Sequence, residues 1–205
     1  MLCCQEKKRP QRLKITFSRP FLTALLAAVT LPDLHWLLLL GLAAAVHESG
    51  HLLALLAFGS RARELRFRLS GMEIRYSQDR LTYGKEAAVA LAGPGINLLF
   101  AAALAPLALR AGSTLLFLWI GCHAALAAFN LIPALPLDGG RALNSFLCVF
   151  WPQAGPQIIE AFGKAAGIVL LALGLYVLLR FRNPTLFTAG VLIFAGGAGK
   201  KLYKS

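Results

Sequence analysis

The segment LLLLGLAAAVHESGHLLALLAFG, Leu37 to Gly59, decides how the chain is read. Its flanks are almost all Leu and Ala, and about 20 such residues suffice for a helix to cross a bilayer. Its middle holds His47, Glu48 and His51. A charged side chain at mid-bilayer costs roughly 2.5 kcal/mol or more, so residues of this kind inside a span mark function. The spelling is HExxH. On a helix, positions four apart share a face, so both imidazoles reach one cation. Glu48 lies beside that face, where its carboxylate can take a proton from water and return it to a leaving amine.

The rest of the chain supports a membrane setting. It has 205 residues, 58% of them hydrophobic, and a mean hydropathy of +0.66. Soluble domains are about 45–50% apolar. The formal net charge is +12. The basic residues lie between apolar blocks, which fits an anionic membrane face and argues against nucleic acid as a partner. Cys3, Cys4, Cys122 and Cys148 have neither zinc-ribbon nor disulfide-scaffold spacing.

Six apolar blocks follow from a pass along the sequence: Phe21–Leu31 (reaching back to Ile15), Leu34–Phe58, Ala87–Leu109, Thr114–Leu131, Ile158–Leu179 and Pro184–Ala198. The third contains AGPGIN, which predicts an interruption at Pro94. Between the second and third blocks, ELRFRLSG and MEIRYS alternate polar and apolar residues around a Ser70-Gly71 turn, predicting a β-hairpin over 64–77. The fold class is therefore an all-α polytopic membrane protein, with about six transmembrane helices and a small membrane-associated β-hairpin. Its parts are a basic tail (1–19), a membrane core (20–151) and a C-terminal helical pair (152–205). With six spans, all of the 21 Lys and Arg except Arg110, Arg180 and Arg182 fall on the side of both termini. The positive-inside rule makes that side cytosolic in a multi-pass cell-membrane protein.

Catalytic zinc usually takes three protein ligands. Among the downstream acids, Glu64, Glu73 and Asp79 suit a solvated hairpin. Glu86 suits a helix start, and Glu160 stands four before Lys164 as a surface ion pair. Asp138, in PALPLDGG, has no such partner, and its glycines allow a close backbone approach. Elimination therefore makes Asp138 the third ligand of one zinc ion per chain, with His47 and His51. Asn97 and Asn130 are neutral groups suited either to holding a scissile carbonyl or to bonding between helices. His123 reads as an interhelical hydrogen-bond residue.

HExxH in a span, GPGIN (Gly93 to Asn97) in a later one and NLIPALPLDGG (Asn130 to Gly140) further on together resemble the site-2 protease family of intramembrane zinc metalloproteases. The short chain with six apolar blocks and no PDZ insert is most similar to the sporulation branch, with one departure: the nucleotide-sensing CBS domain of the sporulation enzyme is not expected here. The likeness covers about Leu34 to Trp151. It implies that Glu48 is the catalytic base and that His47, His51 and Asp138 hold the zinc. It also implies that Asn97 and Asn130 lie near the site, with Gly93, Pro94 and Gly139 as supporting motif positions, and that the hairpin engages substrate. The expected activity is hydrolysis of membrane-embedded or membrane-tethered regulatory proteins near the cytosolic face, such as a pro-sigma factor, in company with regulatory membrane partners. A metal transporter would spread its ionisable residues over several spans and leave Glu48 without a role. An inactive client-binding scaffold would not need an intact HExxH. A prenyl-processing type of zinc protease would need a downstream glutamate as third ligand, and Glu160 is a poor candidate.

Overall fold

The computed structural model describes residues 14–19, 23, 34–60, 62–68, 71–76, 81–182 and 185–198. In chain order the elements are β1 (Lys14–Phe17), α1 (Leu34–Ala57), β2 (Ala62–Arg68), β3 (Gly71–Tyr76), α2 (Tyr83–Ala111), α3 (Thr114–Asn130), α4 (Asp138–Phe150), α5 (Gly155–Phe181) and α6 (Thr185–Ala198). The chain is thus mostly helical.

Three described helices are long and apolar enough to cross a membrane: Leu38–Ala57 within α1, α2, and α5. The helix α3 is apolar but has 17 residues, and α6 has 14. The first expected block, Phe21–Leu31, lies outside the described residues apart from residue 23.

Burial is inverted relative to a soluble domain. Leu179 is 76% exposed, Leu109 72% and Leu99 71%, while His47, His51, Asn97, His123 and Asp138 are all buried. In water, apolar surface on this scale would drive association; in lipid it is the solvated face. Among the described residues half of the buried apolar side chains are alanines: Ala43, Ala90, Ala101, Ala108, Ala127, Ala134 and Ala142. Small residues let helix backbones approach where no hydrophobic effect pulls them together.

The helix α2 corrects one expectation, because it runs unbroken through Pro94 and Pro106. A proline inside a helix deletes one ladder bond. In an apolar setting, unwinding would expose several unpaired backbone groups, which costs more than one missing bond. Gly112 ends this helix at φ 58, a left-handed conformation that glycine adopts without penalty. Ser113 then caps α3 by accepting from the Leu116 amide.

The sheet corrects another. Ala62–Arg68 pairs antiparallel with Gly71–Tyr76, with Leu65 opposite Ile74. Lys14–Phe17 adds a third strand, parallel to β2, so the sheet order is β1-β2-β3. Ile15 therefore belongs to a strand and not to the first span. Lys14 stands opposite Glu64, and the Thr16 hydroxyl donates to Glu64 Oε1 at 3.2 Å. Opposite charges across a strand pair favour that register, and β1 covers an edge of β2 that would otherwise be bare. Arg66 Nε lies 2.8 Å from Glu64 Oε1. The hydrogen bond from Arg66 is the main cause that holds the Glu64 carboxyl below the usual carboxylate range.

Candidate metal centre

The helix α1 brings His47 and His51 onto one face, one turn apart, as their spacing requires. Their rings meet edge to face, with centroids 4.9 Å apart. Asp138 comes from the first turn of α4, after the loop that follows α3. Two glycines make this possible. A Cβ at Gly139 would overlap the Leu131 carbonyl, and one at Gly140 would overlap the Ala134 backbone. The start of α4 is thus pressed against its own preceding loop, in which the Leu135–Pro136 peptide is cis.

Three atoms converge. His47 Nε2 lies 2.9 Å from Asp138 Oδ2, His51 Nε2 lies 3.2 Å from the same oxygen, and the two Nε2 atoms are 3.2 Å apart. Ligand atoms about 2.0–2.2 Å from a tetrahedral zinc stand roughly 3.3–3.5 Å from one another. The observed triangle is slightly smaller than that, so the donor set fits a zinc ion with small outward shifts. His47, His51 and Asp138 form the one group among the described residues able to hold a metal ion through three such side chains. Burial works against the charge on Asp138. The Arg141 guanidinium beside its other oxygen offsets part of that cost. A hard anionic oxygen is what a dication requires.

Around the triangle lies a second set of contacts. His51 Nδ1 is 2.7 Å from the Val89 carbonyl. A carbonyl can only accept, so His51 carries its hydrogen on Nδ1 and leaves the Nε2 lone pair free, the arrangement expected of a metal-binding histidine. Arg141 Nη1 donates to Asp138 Oδ1 at 3.4 Å. Gly93 presses on the imidazoles: a Cβ there would stand 2.5 Å from His51 Cε1 and 2.9 Å from His47 Nε2. Gly50 is as tight on the other side, where a Cβ would lie 2.5 Å from the Ala92 carbonyl oxygen. Helices α1 and α2 therefore cross at two glycines, beside the metal-binding face.

Glu48 is half-buried next to His47, in the electrostatic field of His51, His47, Asp138 and Arg141. Asn97 is fully buried and takes the interhelical alternative. Its amide nitrogen is 3.2 Å from His47 Nδ1, and its oxygen is 3.1 Å from His123 Nδ1. Asn130 donates to the Leu126 carbonyl of its own helix at 2.9 Å. Glu160 pairs with Lys164 at 2.7 Å, and Glu86 accepts from Ser145 Oγ at 3.5 Å, so neither joins the triangle. The Val89 carbonyl and Arg141 were not picked out from the sequence. A main-chain carbonyl leaves no side-chain signal, whereas Arg141 could have been found from its place three residues after Asp138 on a helix.

Over 148 residues, or 67% of this chain, the sequence is 34% identical to a Synechocystis protein named for zinc metalloprotease activity, of which it covers 38%. Over 177 residues, or 81% of this chain, it is 27% identical to a zinc metalloprotease of Methanocaldococcus jannaschii, of which it covers 51%. The chain thus spans about half or less of the length of these relatives. No protein-family model matches it. The solved structure of the site-2 protease from Methanocaldococcus jannaschii superposes with a TM-score of 0.68 at 21% identity, covering 94% of this chain and 95% of that one. Three long apolar helices mark this chain as a membrane protein; by sequence it is similar to proteins named zinc metalloproteases, and its fold is that of a site-2 protease.

Proposed function

We propose that this chain is an intramembrane zinc metalloendopeptidase that hydrolyses peptide bonds of membrane-embedded or membrane-tethered proteins near the cytosolic face. The observation that carries this reading is the triangle of His47 Nε2, His51 Nε2 and Asp138 Oδ2 beside Glu48, buried among apolar helices. His47, His51 and Asp138 would hold one zinc ion per chain, and the ion supplies Lewis acidity when bound. Glu48 takes the proton of the attacking water on its carboxylate and returns it to the leaving amine nitrogen. Arg141 and the Val89 carbonyl keep Asp138 and His51 in place. Asn130 has a second amide N–H beyond its bond to Leu126 and is the remaining candidate for holding the scissile carbonyl.

A substrate helix has its carbonyls tied in its own ladder and must be unwound before attack. Lipid cannot satisfy the backbone groups this frees. The sheet supports a reading in which β3, with one edge unclaimed by β2, takes up the extended peptide by strand addition. Six spans with both termini cytosolic, as the basic residues imply, put the sheet on the same side as the N-terminus. A place in the sporulation branch, with pro-sigma-factor processing, rests on the motif likeness alone.

Glu48→Gln tests the reading. The variant should bind as much zinc as wild type and lose at least about a hundredfold in cleavage of a membrane-tethered reporter, the usual scale for a general base. Wild-type cleavage by a fully zinc-loaded Glu48→Gln protein would sink it.

A further inference from the structure

Asn97 and His123 extend the metal centre by a buried hydrogen-bonded chain. From Asp138 Oδ2 it runs through His47 Nε2 (2.9 Å) and His47 Nδ1 to the Asn97 amide (3.2 Å), then to His123 Nδ1 (3.1 Å). It crosses from α4 through α1 and α2 to α3. Asn97 and His123 are both fully buried. His123 ends the chain: its Nε2 is buried with no hydrogen-bond partner among the described residues, and its ring stacks on Phe100 at 5.4 Å and tilts against Trp119 at 5.5 Å. An apolar side chain there would leave no orphaned nitrogen, so an unpaired buried imidazole calls for a reason.

A neutral imidazole has one N–H and one lone pair. The Asn97 amide has a donor end and an acceptor end, so the chain has two consistent polarities. In the one recorded, Asn97 Nδ2 donates to His47 Nδ1 and His123 Nδ1 donates to Asn97 Oδ1. The His47 hydrogen then sits on Nε2, pointing at Asp138. In the other, the amide is turned by half a revolution. His47 Nδ1 donates to Asn97 Oδ1, Asn97 Nδ2 donates to His123 Nδ1, and the His123 hydrogen sits on Nε2. Only the second polarity leaves the His47 Nε2 lone pair free for a metal. No comparable choice exists at His51, where the Val89 carbonyl fixes the tautomer.

We propose that His123 is a positioning residue for the metal: by accepting from Asn97 at Nδ1, it turns the Asn97 oxygen toward His47 and holds His47 in its metal-binding tautomer. The inference rests on the reading that His47, His51 and Asp138 hold zinc. A residue that touches neither metal nor substrate would then set the affinity of the site through one amide.

The test measures zinc affinity of the full-length, detergent-solubilised chain by competition with a chromogenic chelator, independently of cleavage. His123→Phe keeps the ring but removes the acceptor, and it should weaken zinc binding about tenfold or more, the scale of outer partners of metal ligands. His123→Asn offers an oxygen close to where Nδ1 stands, and it should restore affinity to within about threefold of wild type. Wild-type affinity in His123→Phe, or equal weakening in both variants, would overturn the proposal. Should His123→Phe fail to fold, ¹⁵N-histidine NMR of zinc-loaded wild type decides. A hydrogen on His123 Nε2 and a bare Nδ1 is the expected pattern, and a protonated Nδ1 rules the relay out. A wild-type chain that binds no zinc would instead refute the metalloprotease reading.

Discussion

His47 Nε2 and Asp138 Oδ2 stand 2.9 Å apart across 91 positions of sequence. The helix α1 supplies the first and the start of α4 supplies the second, and this contact closes the site. Without a cation between them, two lone-pair donors and a carboxylate this close must share hydrogens. With one, all three offer lone pairs to a single point.

Replacing Asp138 and replacing Glu160 should therefore have opposite consequences. Asp138→Ala removes one of the three proposed ligand atoms and should reduce zinc in the purified protein to less than about a tenth of wild type. Glu160→Ala breaks an exposed ion pair with Lys164, worth at most about 0.5 kcal/mol, and should leave zinc content unchanged. Elemental analysis of the two proteins decides between them, and zinc loss in Glu160→Ala alone would move the third ligand to α5.

Gly93 should tolerate no side chain. A methyl group there would collide with the His51 ring and crowd His47 Nε2, while backbone and imidazoles are both held in place. Gly93→Ala is expected to weaken zinc binding about tenfold or more, with the helix content of the protein retained. Gly95→Ala, where a Cβ meets nothing within 4 Å, is the matched control and should bind as wild type does.

Metal removal should lower stability by mass action, because the triangle is assembled only in the folded chain. At free zinc about 100 times the dissociation constant, binding contributes about 2.7 kcal/mol. Thermal unfolding in detergent should therefore shift upward as zinc is added and return to the lower value with chelator. A midpoint independent of zinc would exclude stoichiometric binding to the native state.

The C-terminal helices should depend on glycine contact. A Cβ at Gly174 would stand 2.5 Å from the Phe187 backbone, and one at Gly167 would stand 2.9 Å from Phe194 Cβ. Gly174→Val should part α5 from α6 and make the segment beyond Phe181 sensitive to added protease. Gly163→Val, where a Cβ meets nothing within 4 Å, should stay resistant.

Much of the centre is legible in the sequence. The four-residue spacing of His47 and His51 fixes a shared helix face, and burial in an apolar run makes a bland role costly. Elimination pointed to Asp138, and the pairing of Glu160 with Lys164 agrees with it, but the premise that Asp138 has no local partner does not hold, because Arg141 three residues on donates to it. Pro94 misled, because a local rule for helix breaking ignores the penalty on exposed backbone in lipid. Lys14–Phe17 misled because four residues hold too little periodicity to separate a strand from the edge of a span.

The sequence by itself determined the apolar helices and the HExxH face, and it singled out Asp138 as the acid to set beside that face, since these readings depend on spacing within a short window, on the cost of charge in lipid and on the lack of better acids downstream. Only the tertiary structure decided which way Asn97 faces, that His123 ends its chain of hydrogen bonds, and that β1 joins β2. Those contacts link residues 26 to 50 positions apart, and no local pattern records which distant group will complete a buried hydrogen bond.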